Sequence, residues 1–162
     1  MKTRAPASTH KKVVIELGDR SALRGFLNPA GLSGAENIDL LTPDGEHEQV
    51  PVARVRAVYF VRDLGEGFAP ERKAFLSRPK LDGLWVKVTF RDSATLEGVI
   101  PNDLVAFLDN GLHLTPPDFN SNTDRIYVPR TAIMELTVLG VVGVARRKPA
   151  GTAAAQPRLF SE

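Results

Sequence analysis

The stretch Val86-Lys87-Val88-Thr89-Phe90-Arg91-Asp92 opens a segment, residues 86–129, that decides the fold because the chain contains it twice. When the sequence is laid over itself with Val13 on Val86, the turn residue Asp19 falls on Asp92. Chance similarity between two strand-rich segments would match the apolar pattern alone, so the matching turn, glycine and proline positions indicate an internal repeat. The other identities are Leu23 with Leu96, Gly25 with Gly98, Asn37 with Asn110, and Leu41-Thr42-Pro43 with Leu114-Thr115-Pro116. After a short insertion in the second copy, Val50-Pro51 falls on Val128-Pro129 and residues 55–60 fall on 133–138.

Each copy predicts five short strands. Val13, Ile15 and Leu17 alternate with other residues, which places them on one face of a strand. Gly25 within the second strand predicts a bend or a close backbone approach. The remaining strands of the first copy are predicted at residues 22–27, 37–41, 48–52 and 55–61. A sheet of five strands in about fifty residues must bend strongly and close on itself to bury its apolar face. The sequence therefore predicts an all-β protein of two tandem five-stranded barrels.

The predicted organisation is a first barrel over residues 11–62, a linker over 63–82 and a second barrel over 83–145. Pro70 and Glu71 are signals of a helix N-terminus, and they predict a short linker helix anchored by Phe75 and Leu76. Residues 1–10 are polar, and residues 146–162 are basic and rich in Pro and Ala, so disorder is predicted for both.

The composition excludes several classes of protein. Among 162 residues there is no Cys, which removes disulfides, thiolate catalysis and Cys-based metal centres. The first ten residues contain no apolar signal region, and the most apolar run, residues 136–145, is shorter than the ~20 residues of a membrane helix. We therefore expect a cytoplasmic protein that does not enter a membrane.

Three stretches resemble a bacterial family of tandem Sm-like or SH3-like repeats that has no settled function: residues 55–63, residues 96–98, and residues 114–122 continuing to 125–128. The resemblance spans roughly residues 11–142 and implies small β-barrels. Sm proteins that bind RNA carry an Asp and an Asn close together after the Leu-x-Gly motif, and an Arg-Gly pair before the last strand. Here Asp103 and Asn110 are too far apart, and Arg130 is followed by Thr131, so the RNA-pocket residues do not carry over.

No catalytic or metal site is predicted. A hydrolase needs a nucleophile, a base and an orienting group, and His10, His47 and His113 have no partners at motif spacing. The second copy contains an inserted loop, residues 117–124, whose alternating Asp and Asn residues are similar to those of a calcium loop. The loop lacks the Gly and the closing Glu of a calcium site, so a polar turn is favoured. We expect no enzyme activity and no cofactor. If the second copy has a role of its own, this loop is the candidate interaction site, with Asp118, Phe119, Asn120, Asn122 and Asp124 as its residues.

Nucleic-acid binding is one alternative. The candidate phosphate contacts lie in the last strand of the first copy, the linker and the second copy: Arg54, Arg56, Arg72, Lys73 and Arg130. The net charge is only +2, which favours an ordinary solvated surface over a dedicated nucleic-acid interface. Weak, sequence-tolerant binding of RNA or single-stranded DNA remains the second hypothesis.

Assembly is the favoured hypothesis. In the Sm-like proteins that the chain resembles, barrels join edge to edge through their fourth and fifth strands. The last strands of the two copies are apolar β runs that could pair in this way with each other or with another chain, and their candidate pairing residues are Val58, Phe60, Leu136 and Val138. The sequence therefore predicts a non-enzymatic binding or assembly module, with a regulatory role as one version, whose partner is a second copy or another protein.

Overall fold

The computed structural model describes residues 9–103, 105, 111–118 and 120–143. The described structure is all-β, and its strands are β1 Lys11–Leu17, β2 Ala22–Leu27, β3 Asn37–Leu41, β4 His47–Pro51, β5 Val55–Val61, β6 Gly83–Phe90, β7 Thr95–Ile100, β8 Gly111–Leu114, β9 Thr123–Pro129 and β10 Ile133–Val142. Single-turn 3-10 helices cover Pro29–Leu32, Val52–Arg54 and Arg130–Ala132. The predicted strands of the first copy agree with these bounds to within two residues. The predicted disorder of residues 1–8 and of 146–162 concerns segments outside the described residues.

The ten strands form two antiparallel sheets. One has seven strands in the order β4-β3-β2-β1-β5-β9-β8, and the other has three in the order β10-β6-β7. A single bridge between Val99 and Thr115 connects β7 to the end of β8. With this bridge, the second half runs β10-β6-β7-β8-β9, which is the order β5-β1-β2-β3-β4 of the first half.

In each half the second and third strands meet at a single residue pair within the described residues, and we call this point the corner. The pair is Phe26 with Leu41 in the first half and the Val99–Thr115 bridge in the second. A Cβ on Gly25 would lie 2.4 Å from the Leu41 carbonyl oxygen, and one on Gly98 would lie 2.8 Å from Leu114 Cδ2. The close backbone approach predicted for Gly25 is confirmed, and both repeated glycines allow this corner.

The core has two clusters that lie on opposite faces of β1 and β5. Val13, Ile15 and Leu17 share one face as predicted and point into the first cluster, which includes residues of the first half such as Leu40. Val14 points into the second cluster, which includes residues of the second half such as Val88. The same division holds along β5, where Val58 and Phe60 face one cluster and Tyr59 faces the other. Strands buried on both faces read as continuous apolar runs, which explains the sequence of β5.

The structure differs from the prediction in two respects. Neither sheet is closed into a barrel in the described residues, because the outer side of β5 pairs with β9 of the second half. The prediction of a linker helix is wrong, because residues 63–82 form turns and bends. The Lys73 carbonyl accepts a hydrogen bond from Glu97 N (2.8 Å) on β7 instead of from a helical turn. Phe75 packs edge-on against Trp85 with 6.2 Å between ring centroids, and Leu76 is exposed.

Candidate functional site

The two halves are joined by strand pairing between β5 and β9. In this antiparallel pair Val58 lies opposite Tyr127 and Phe60 lies opposite Arg125. The other side of β5 pairs with β1, so β5 is an interior strand. Val58 and Phe60, two of the predicted pairing residues, are therefore buried, and their strand meets the other half of the same chain. We refer to the contact between β5 and β9, with the side chains around it, as the junction.

An ion-pair network crosses the junction and is centred on two buried residues, Glu16 of β1 (5% exposed) and Arg56 of β5 (9% exposed), whereas its other charged members, Arg20 and Asp92, are exposed. Glu16 Oε1 accepts hydrogen bonds from Arg56 Nη1 at 3.0 Å and from Tyr59 Oη at 2.9 Å, and Glu16 Oε2 accepts one from Arg20 Nε at 2.9 Å. The two arginines also donate to Asp92 of the second half, Arg20 at 2.9 Å and Arg56 at 3.3 Å. The Arg56 guanidinium lies over the Phe90 ring, 4.0 Å from its centroid. These contacts stabilise one relative position of the halves, because charged groups removed from water need their partners in place.

The network shifts three ionisation equilibria. Burial, reinforced by the negative charge of Glu16, raises the pKa of Tyr59, so its hydroxyl stays a hydrogen-bond donor. The hydrogen bond from Ala94 N, followed by the positive charge of Arg56, holds the pKa of Asp92 below its usual value. The hydrogen bond to Glu16 raises the pKa of Arg20. All three shifts favour the protonation states that the network needs.

The candidate nucleic-acid residues differ in exposure: Arg56 is buried, and the other four are exposed. Arg56 is buried in the network, so it is not available to a phosphate group. The Lys73 ammonium group donates a hydrogen bond to the Pro70 carbonyl in the linker, and Arg72, the preceding residue, is exposed. Arg54 and Arg130 are exposed, and the 3-10 turns that carry them lie against each other. The structure thus brings together the turns that carry Arg54 and Arg130, which are both exposed, whereas Arg56 is buried.

The inserted loop contacts the linker. Asn122 Nδ2 donates to the carbonyls of Asp63 (2.8 Å) and Gly67 (2.9 Å), and Asn122 Oδ1 accepts from Asp63 N (2.8 Å). Asp124 forms an ion pair with Arg62 at 2.7 Å, and Asp118 Oδ1 accepts from Asn120 N at 3.2 Å. Phe119 lies outside the described residues. The amide and carboxylate groups of Asn122 and Asp124 therefore hold the start of the linker against the second half.

Two surface cavities occur in the part of the chain that the structure describes. One of about 330 Å³ lies at the junction, where Arg54, Arg91 and Asp92 contribute charged groups to its wall. The other, of about 700 Å³, is lined by His113, Arg125 and Asp82 together with apolar residues. The Arg125 guanidinium stacks 4.4 Å from the Phe60 ring centroid. Neither cavity brings together a nucleophile, a base and an orienting group.

The last strand, β10, lies at one end of the three-stranded sheet. Leu136, a predicted pairing residue, is half-buried against the second core cluster, and Val138, the other, is 50% exposed. Within residues 9–103, 105, 111–118 and 120–143, no strand pairs with the outer side of β10. We call this outer side the open edge.

Two absences hold for the described residues. No group of three or more His, Asp or Glu side chains is placed to hold a metal ion. No helix in this part of the chain has the length and apolar character needed to span a membrane.

The network around Glu16 is not among the features that the sequence predicts. Glu16 is a charged residue within an apolar strand, between Ile15 and Leu17, where the second copy has Thr89. A charged residue in such a run is the signal that could have indicated a buried partner. Two of its partners, Arg56 and Tyr59, could not be assigned, because they are distant in sequence.

The fold and the junction define a class of all-β proteins in which two copies of one strand order are joined by edge pairing. Residues 9–140 match a family of unknown function (DUF6982), and the chain belongs to that family. No curated protein and no solved structure matches the chain.

Proposed function

We propose that this chain is a cytoplasmic, bacterial, non-enzymatic binding and assembly module made of two tandem Sm-like barrels. In this proposal each half is an open barrel, and the module associates through its β-edges with a second copy or another protein. The shared strand order of the halves and their corners support the Sm-like description.

The observation that carries the assembly proposal is the β5–β9 pair. The fourth strand of one half already pairs with the last strand of the other within a single chain. Edge pairing between such halves is therefore a contact that this sequence can make. The equivalent last strand of the second half, β10, presents an edge that is not paired in the described structure.

The test is the mass of the purified full chain in solution. Multi-angle light scattering at increasing protein concentration is expected to show species larger than the monomer mass of 17.6 kDa. A monomer at every concentration, together with no protein captured from a lysate of the source cells, would contradict the assembly proposal.

Nucleic-acid binding has one supporting observation, the contact between the two 3-10 turns that carry Arg54 and Arg130. If these residues contact phosphates, a labelled single-stranded oligonucleotide should bind at low salt and weaken as salt rises. The double variant Arg54→Ala with Arg130→Ala should then lose binding, whereas Arg78→Ala, a linker arginine that donates to the Val141 carbonyl, should not. Absence of binding by the unaltered chain at low salt would exclude this alternative.

A further inference from the structure

The open edge of β10 is exposed and apolar. Only Glu135 is charged among the ten residues from Ile133 to Val142. The large apolar side chains that remain exposed in this strand are Met134 (52%), Val138 (50%), Leu139 (40%) and Val141 (46%). Arg78 donates to the Val141 carbonyl near the end of this strand. Over the rest of its length, a long apolar edge that no described strand pairs with is a site for strand addition.

The opposite end of the strand order is protected. The outer strand β4 exposes His47, Glu48 and Gln49. His47 Nδ1 lies 3.1 Å from Asp39 Oδ1, and Gln49 Nε2 donates to the same oxygen at 3.0 Å. Charged and polar side chains on an edge strand oppose the addition of another strand. In the part of the chain that the structure describes, the strand order that includes the Val99–Thr115 bridge therefore ends in a protected strand, β4, and an unprotected one, β10.

Comparison of the two halves disfavours one kind of contact between molecules, in which two molecules would pair in the same way as the two halves pair at the junction. Such a contact would place β10 of one molecule on β4 of another, because β10 corresponds to β5 and β4 to β9. At the position of Arg56 the second copy has Met134, and at the position of Tyr59 it has Thr137. Arg56, which donates to Asp92 at the junction, and Tyr59, which donates to Glu16, thus have no equivalent on β10.

The partner side of that contact has changed as well. At the positions of Ile126 and Tyr127, which pair with β5, the strand β4 has Glu48 and Gln49. Pairing β10 with β4 would place Glu48 against an apolar strand without a cation to compensate it. A head-to-tail series of molecules is therefore disfavoured on both of its surfaces.

Self-pairing of β10 has neither defect. We propose that β10 pairs antiparallel with β10 of a second copy, across a twofold axis near Thr137, and that this contact closes a symmetric dimer. Register irregularities fall at Met134 and Leu139, and the regular stretch between them, residues 135–138, is where pairing is expected. An axis near Thr137 also keeps Glu135 of one copy away from Glu135 of the other. Because a twofold contact uses the same surface on both molecules, it stops at two copies.

This inference deepens the proposed function, on which it rests, by naming the partner as a second copy and the contact as β10. One strand pair with four exposed apolar side chains forms a small interface, so the dimer is expected to dissociate on dilution. Sedimentation velocity over a concentration series should show a monomer–dimer equilibrium with no larger species.

The test variant is Val138→Lys, which places a charge at the centre of the open edge, and the matched control is Gln49→Lys on the protected edge. We expect Val138→Lys to be monomeric at concentrations where the unaltered chain and Gln49→Lys are dimeric. Circular dichroism and urea unfolding check that each variant is folded. If Val138→Lys does not fold, Met134→Lys, at a more exposed position of the same strand, replaces it.

The other outcomes separate the two proposals. Dimers that persist in both β10 variants would overturn the β10 contact and leave assembly through another edge. Loss of association in Gln49→Lys, or species larger than a dimer, would indicate head-to-tail pairing and also overturn it. A monomeric full chain that dimerises only after removal of residues 144–162 would assign the edge to the chain's own C-terminal segment. A monomer under all these conditions would contradict self-association itself.

Discussion

Replacing Arg56 with methionine tests whether the ion-pair network holds the halves together. Methionine is the residue at the equivalent position of the second copy, and its unbranched side chain retains contact with Phe90. The substitution leaves Glu16, which is 5% exposed, with one cation fewer, and leaves Asp92 with the hydrogen bonds from Arg20 and Ala94 N. Breaking a buried ion pair costs about 3–5 kcal/mol, and because Arg20 and Tyr59 still donate to Glu16 we expect a loss of about 2–4 kcal/mol in unfolding free energy.

The matched control is Arg62→Met. Arg62 follows β5 directly and pairs with Asp124, but the side chains are 56% and 53% exposed. Exposed ion pairs contribute about 0.2–1 kcal/mol, so this variant should be close to the unaltered chain. Urea unfolding followed by circular dichroism measures both, and a loss of 3 kcal/mol corresponds to a midpoint shift of about 1–2 M.

Two results would refute the reasoning. One is an Arg56→Met variant that is no less stable than Arg62→Met. The other is an Arg56→Met effect of the same size in a Glu16→Gln background, because interacting groups must show a coupling energy in a double-mutant cycle.

Three further predictions concern the corner, the tyrosine and the inserted loop. Gly98→Ala should lower the unfolding free energy by about 1–3 kcal/mol, because its Cβ would lie 2.8 Å from Leu114 Cδ2 and 3.1 Å from the Thr115 carbonyl oxygen. The control is Gly31→Ala, whose Cβ meets nothing within 4 Å and which should change the unfolding free energy little. Equal effects of the two substitutions would contradict the close approach at Gly98. Because the pKa of Tyr59 is raised in the folded state, its contribution to the unfolding free energy is fully present below the unfolded pKa of about 10 and declines as pH rises above it, since the unfolded chain ionises first. Urea unfolding between pH 8 and 11 should show a smaller decline of the unfolding free energy for Tyr59→Phe than for the unaltered chain. An identical decline would show that Tyr59 is not its cause. Asn122→Ala should expose the linker to limited proteolysis near residues 63–67, since it removes three hydrogen bonds to that segment; Asn120→Ala is the control on the same loop, and equal cleavage of the two variants would argue against this role for Asn122.

The sequence located the strands well and the linker poorly. Alternation in β1 and the apolar run of β5 are local patterns, so their bounds follow from the residues themselves. The helix signal at Pro70 and Glu71 is also local, but a helix forms only if its carbonyls bond within it. The Lys73 carbonyl has a competing donor, Glu97 N, which tertiary structure brings to 2.8 Å.

The candidate surfaces show the same division. Arg56 was predicted as a phosphate contact because the sequence lists it among basic residues without showing its neighbours. The fold places it between Glu16 and Asp92, where it is 9% exposed. For Val138 the prediction of a pairing edge stands as a prediction, and the exposure of this side chain supports the experiment that tests it.

The sequence by itself determined the all-β class, the repeat and the strand positions, and it predicted a bend or a close backbone approach at Gly25, since strand periodicity and turn residues depend on neighbouring residues. Only the tertiary structure decided which edges meet. The two copies carry similar apolar patterns, and β5 differs from β10 at Arg56, where β10 has Met134. The sequence does not show what this difference does, because the partners of Arg56 at the junction, Glu16 and Asp92, are distant in sequence and meet it only in the folded chain.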